Sequence, residues 1–151
     1  MGVKASPFVI AAVLAAVACS PPKLTPEDRL QRAAAQSDAG EIARLLNEGA
    51  AVNTRDDRGW SPLMRAAAHG SVDCVKLLIA SGADLRAATN REGQPALILA
   101  ARFNRVEVVK EIALHREAMG QKDRIGWTAL MWASLQGRAE VVKALLHPAR
   151  P

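Results

Sequence analysis

The tract Gly59-Trp60-Ser61-Pro62-Leu63-Met64-Arg65-Ala66-Ala67 returns as Gly126-Trp127-Thr128-Ala129-Leu130-Met131-Trp132-Ala133-Ser134. A looser copy, Gly93-Gln94-Pro95-Ala96-Leu97-Ile98-Leu99-Ala100-Ala101, lies between them. Self-similarity at a spacing of about 33 residues marks a stacked array, because one such unit cannot bury its apolar face alone. The expected architecture is therefore an all-α repeat solenoid, and the expectation for function moves from catalysis towards binding.

Aligned on Leu30, Leu63, Leu97 and Leu130, the chain divides into about four units, 25–55, 56–89, 90–122 and 123–151, with one extra residue near Thr89. Each unit reads as helix, tight break, helix and glycine turn, with short hairpin-like loops between units. Thr25 is placed to cap the first helix, with Pro26 at its first position and Asp28 where a carboxylate can close a capping box. In the second unit Ser61 caps, Pro62 opens, Gly70 ends the first helix, Ser71 starts the second and Gly82 ends it. Ser37 and Asn104 stand at the equivalent of Gly70, and Asn tolerates the left-handed region better than most residues. Unit three departs most: Pro95 occupies the cap position and Arg116 stands where Gly82 does in unit two, which predicts a distorted or lengthened second helix.

This pattern resembles the ankyrin repeat across nearly all of the chain beyond its first residues. Ser61-Pro62-Leu63-Met64 and Thr128-Ala129-Leu130-Met131 look like that family's Thr-Pro-Leu-His signature, and Gly49-Ala50 and Gly82-Ala83-Asp84 resemble its inter-repeat turn. Met64, Ile98 and Met131 replace the signature His, so the side-chain hydrogen bonds which that His usually supplies are expected to give way to apolar packing. The resemblance implies a protein-interaction scaffold and names no partner.

Composition fits the array: half of the 151 residues are apolar, 3% are aromatic and Tyr is absent, as suits small helices packed closely. Residues 1–18 read as a secretory signal, with Lys4 ahead of the apolar run from Phe8 to Val17. Ala16-Val17-Ala18-Cys19 resembles the lipobox of bacterial lipoproteins. That resemblance implies an acylated Cys19 (palmitate being the usual chain), a tether over 19–24, and an outer-membrane protein facing the periplasm, since Ser20 follows the cysteine. An ordinary signal peptide cut at the same small residues leaves the same N-terminus without lipid. A leader that is no signal places the domain in the cytoplasm as an adaptor. Loss of the leader lowers the formal charge of +5 only by the unit that Lys4 carries. Cys74 aligns with Val108 and Val141 and reads as a small core residue.

No catalytic constellation stands out. His69, His115 and His147 fall in different units without partners at ligand-like spacing, so no metal or cofactor is expected. Asp56 aligns with Asp123 and reads as a turn residue that bonds nearby backbone amides. No pair of acidic groups converges as acid/base work requires, and an enzyme is not expected.

The positions that vary between units are those an array displays. By alignment with ankyrin arrays, the displayed face takes Arg58, Trp60, Arg65 and His69 from unit two, with Asp57 beside them. Unit three supplies Arg91, Leu99, Arg102 and Phe103, with Glu92 and Gln94. Unit four supplies Arg124, Trp127, Trp132 and Leu135, with Ile125 and Gln136. Arg and Trp are enriched at protein-binding hot spots, so this face is expected to bind another protein. An anionic ligand or nucleic acid is the alternative for a basic face, and export argues against nucleic acid. A second surface follows from how the array stops. Val142 and Leu146 stay apolar in columns that inner units bury, so either the tail folds over them or they meet another molecule, a homodimer through this end among the expected arrangements.

Overall fold

The computed structural model describes residues 22–149. The expectations for the leader, for Cys19 and the first half of the tether, and for the last two residues fall outside that range. Among the described residues eight α-helices follow one another in pairs: α1 (Pro26–Ala35) with α2 (Ala39–Asn47), α3 (Pro62–His69) with α4 (Val72–Ala80), α5 (Ala96–Arg102) with α6 (Val106–Ala113), and α7 (Ala129–Leu135) with α8 (Ala139–Leu146). The first helices α1, α3, α5 and α7 stack into one layer and the second helices α2, α4, α6 and α8 into another. This is the all-α solenoid that the repeated tract predicts.

Local chemistry starts and stops the helices where expected. Thr25 Oγ1 accepts from Asp28 N at 3.1 Å while Thr25 N donates to Asp28 Oδ2 at 3.2 Å, which closes the capping box. Ser61 and Thr128 each accept from the third helical N–H, whereas Pro95, with no side-chain oxygen, leaves α5 without such a cap. Ser37 and Asn104 take the left-handed conformation at φ of 60° and 56°. In unit three α6 ends at Ala113 and a 3-10 turn, Arg116–Ala118, is added before Gly120 reverses the chain. The departure at Arg116 thus appears as an extra turn and not as a longer helix.

Paired alanines, Ala33 and Ala34, Ala66 and Ala67, Ala100 and Ala101, lie buried between the first helices. Their small side chains let those helices approach closely. Leu30, Leu63, Leu97, Leu45 and Leu78 fill the space between the layers, each contributing about 2 kcal/mol by leaving water. Met64 and Ile98 are 1% exposed, so apolar packing does replace the signature His in units two and three. Met131, at the end of the stack, is 49% exposed.

Between the pairs the chain forms projecting tips, with single antiparallel bridges joining Ala88 to Pro95 and Lys122 to Thr128. Successive tips are tied one repeat apart. Asn90 N donates to Arg58 O and Arg124 N to Glu92 O, each at 3.0 Å, and Arg55 donates to Ala88 O. The tips therefore stand in a row beside the first-helix layer.

Candidate partner-binding face

Each tip is shaped by one side-chain acceptor. Asp56 Oδ1 accepts from Arg58 N at 2.9 Å and Trp60 N at 2.8 Å. Asp123 Oδ1 accepts from Ile125 N at 3.1 Å and Trp127 N at 2.8 Å. The turn role read for both residues is present, and each second oxygen does more. Asp56 Oδ2 pairs with Arg65, and Asp123 Oδ2 accepts from the Trp132 indole Nε1 at 2.7 Å. One carboxylate thus couples a tip to the first helix that follows it.

In unit three Thr89 takes this place, its Oγ1 accepting from Gln94 N at 3.1 Å around the extra residue. Leu99 occupies the helical position of Arg65 and Trp132 but has no polar group to offer such a turn. It is 2% exposed, as is Gln94. Both were expected on display; Leu99, being apolar, instead joins the hydrophobic core, and Gln94 is held inward by its bonds with Thr89 and Arg102.

Unit one contributes a residue that the displayed-face alignment passes over. Gln31 follows Leu30 as Met64 follows Leu63, and so fills the column of the signature His. Its Nε2 donates to Trp60 O at 2.8 Å and Thr54 O at 3.2 Å, while its Oε1 accepts from Arg65 Nε at 2.9 Å. Hydrogen bonding from that column, expected to be lost, survives at this repeat, and in unit two Met64 Sδ still accepts from Ser61 N at 3.5 Å. The alignment on Leu30 held the signal, since a glutamine in an otherwise apolar column needs partners when buried.

Arg102 is the hub of the seam between units three and four. Its Nη1 donates to Glu92 Oε2 at 2.8 Å and Gln94 Oε1 at 2.6 Å, and the guanidinium lies 4.6 Å from the centre of the Trp132 ring. Trp127 packs against Trp132 at 5.0 Å between ring centres, tilted by 52°. Burial works to raise the Asp123 carboxyl pKa, but bonds from the Trp127 backbone, the Trp132 indole, the Ile125 backbone and Gln94 outweigh it and hold the group below its ordinary value. Arg65, Arg102, Trp127 and Trp132 are therefore partly committed to the framework of the face that they line.

Other predicted residues are free to meet a partner. Phe103 is 48% exposed and Leu135 65%, and His69 is exposed beside them on the first-helix layer. Arg124 donates to Asn90 O at 2.6 Å. Trp60 is half-buried, with Arg65 5.8 Å from the centre of its ring.

Three depressions run along this side. The largest, about 590 Å³, lies between the tips of units two and three and is lined by Arg58, Trp60, Asn90 and Arg91 among others. It shares Arg58 and Trp60 with a hollow of about 300 Å³ that reaches His69 and Phe103. It shares Arg91, Glu92 and Gln94 with one of about 290 Å³ that reaches Ile125 and Trp132. All three are half-open to solvent, with charged side chains among their linings but more apolar than polar surface, as suits a protein surface or an extended chain.

At the end of the stack Ile42, Val75 and Val109 are fully buried, whereas Val142 in the same column is half-buried. In the neighbouring column Ala113 is 5% exposed and Leu146 56%. Among the described residues nothing packs over this end. Cys74 is buried, and burial pushes its thiol pKa up, as fits a core residue. Among the described residues no three His, Cys, Asp or Glu side chains gather as a metal site would need.

A family model described as "Ankyrin repeats (3 copies)" matches residues 30–123 and 84–151. No curated protein matches the chain.

Proposed function

Because the chain belongs to the ankyrin-repeat family, whose repeats generally bind other proteins, we propose that it is a non-catalytic interaction module that holds one partner protein along its tips and first helices. The carrying observation is the continuous series of three depressions on that side, with Phe103 and Ile125 exposed at its two ends. The second-helix layer carries interlocked surface ion pairs, a solvated face. A photo-crosslinking residue at position 103 is expected to yield a single protein adduct in cells, and the same residue at position 110 none. Identical adducts from both positions would exclude the tip side as the site.

The address belongs to the same proposal. Cys19, within its lipobox-like context, is acylated after export and tethers the module to the outer membrane, facing the periplasm. Labelled palmitate is expected to enter the wild-type protein and not Cys19→Ala, with the variant leaving the membrane fraction. Unlabelled wild type would remove the lipid anchor from the reading. We also propose that Val142 and Leu146 form an end-on contact between two copies.

A further inference from the structure

This inference rests on the binding face proposed above and names the chemistry of what that face takes. Charge is distributed differently over the two sides of the stack. On the second helices each lysine or arginine meets a carboxylate within its own layer: Arg44 meets Glu41 and Glu48, Lys76 meets Glu111, Lys110 meets Glu107 and Lys143 meets Glu140. On the tip side Arg65 and Arg102 meet Asp56 and Glu92. Arg105 and Arg124 donate only to the backbone carbonyls of Ala68 and Asn90, which orient a guanidinium without neutralising it. Arg58 and Arg91 are exposed, and among the described residues neither guanidinium meets a carboxylate or makes a hydrogen bond.

The two unpaired guanidiniums sit where the depressions join. Arg58 stands between the first hollow and the second, Arg91 between the second and the third. Apolar groups wait beyond them, Phe103 at one end and Ile125, 68% exposed, at the other. Asp57 and Glu92 also line the middle depression, but Glu92 is already engaged by Arg102, so the track keeps an excess of positive charge. We propose that the track takes an extended acidic segment of a partner protein, with one carboxylate at Arg58, one at Arg91, and an apolar side chain covering Phe103 and another covering Ile125.

The planar fork of arginine suits a carboxylate, which it grips with two parallel hydrogen bonds. A nucleic acid is disfavoured because three of the four Trp and Phe rings on this face are already engaged, which leaves Phe103 alone among them to stack on a base. Arg102 lies over Trp132, Trp127 packs against it, and Arg65 lies over Trp60.

The test is selection of random twelve-residue peptides displayed on phage, with wild-type protein as bait. Arg58→Glu/Arg91→Glu and Phe103→Ser/Ile125→Ser serve as comparisons, since all four side chains are exposed and circular dichroism checks that the helices persist. Enriched peptides are expected to carry two acidic residues between apolar ones, to weaken with added salt, and to lose about tenfold or more in affinity for the charge-reversed variant. Neutral or basic peptides that bind the charge-reversed variant undiminished but fail on the Phe103/Ile125 variant overturn the acidic inference and leave the face standing. No enrichment, or peptides indifferent to both variants, overturns the inference and the face together. Equal binding of vesicles containing phosphatidylglycerol, or of a short single-stranded DNA, overturns it in favour of charge alone.

Discussion

Trp132 donates its indole N–H to Asp123 Oδ2 at 2.7 Å, while the other oxygen of the same carboxylate holds the backbone N–H groups of Ile125 and Trp127. The position of Trp132 on the face is therefore set by the tip before it. An amide in place of the carboxylate still accepts at the tip but turns a donor towards the indole. Asp123→Asn is expected to destabilise the protein by about 1–2 kcal/mol at neutral pH, read from urea unfolding.

The same carboxylate makes that difference pH-dependent. Its folded pKa is depressed, so its contribution is complete above the unfolded carboxylate value of about 4. It declines as pH falls below that value and is gone once pH has passed the folded pKa. The gap between wild type and Asp123→Asn should be constant from pH 6 to 8 and should close in acid. A gap that widened in acid would contradict the assignment.

Leu99 and Leu135, both read from sequence as displayed, should behave as opposites. Leu99 is 2% exposed and Leu135 65%. Leu99→Ala is expected to lower stability by about 2–4 kcal/mol through the cavity it leaves, and Leu135→Ala by under about 0.5 kcal/mol. Thermal unfolding of the pair decides the matter, and equal losses would show that Leu99 is not enclosed.

Two glycines separate backbone strain from crowding. Gly59 and Gly82 have φ of +77° and +89°, so alanine is strained at both, by about 1 kcal/mol. At Gly82 nothing lies within 4 Å of the added Cβ. At Gly59 it would stand 2.8 Å from Asn90 N, the amide that ties one tip to the next. Gly59→Ala should therefore cost clearly more than Gly82→Ala, and equal unfolding midpoints would mean the tips are not in register.

Val142 and Leu146 offer an apolar surface that a second copy can cover. Sedimentation equilibrium is expected to show association of the wild type that Leu146→Glu abolishes. A monomer in both would remove the end-on contact.

The layout of the stack was legible because its determinants are local. Ser37 and Asn104 mark the left-handed breaks, Thr25 and Asp28 the first cap, and each speaks through a few neighbouring atoms. The face was legible only in outline. Alignment equates Leu99 with Trp132, yet exposure depends on what stacks on either side, and the two differ in that respect. The double duty of Asp123 and the reach of Gln31 across to Trp60 arise only after one unit is laid on the next. Free and engaged arginines look alike in the chain, and Arg91 and Arg102 part company only when Glu92 and Gln94 turn towards one of them.

The ties between successive tips give the stack unequal stiffness along its two edges. Hydrogen bonds such as Asn90 N to Arg58 O and Arg124 N to Glu92 O are directional and resist stretching, whereas apolar helix layers tolerate small sliding. The tip edge is expected to behave as a seam of constant length, with the solenoid flexing by opening its opposite edge like a fan. Spin labels at positions 57 and 124 should therefore report a narrower spread of distances than labels at 76 and 143. A partner gripping the tips would meet a ruler whose markings stay put while the back of the molecule breathes.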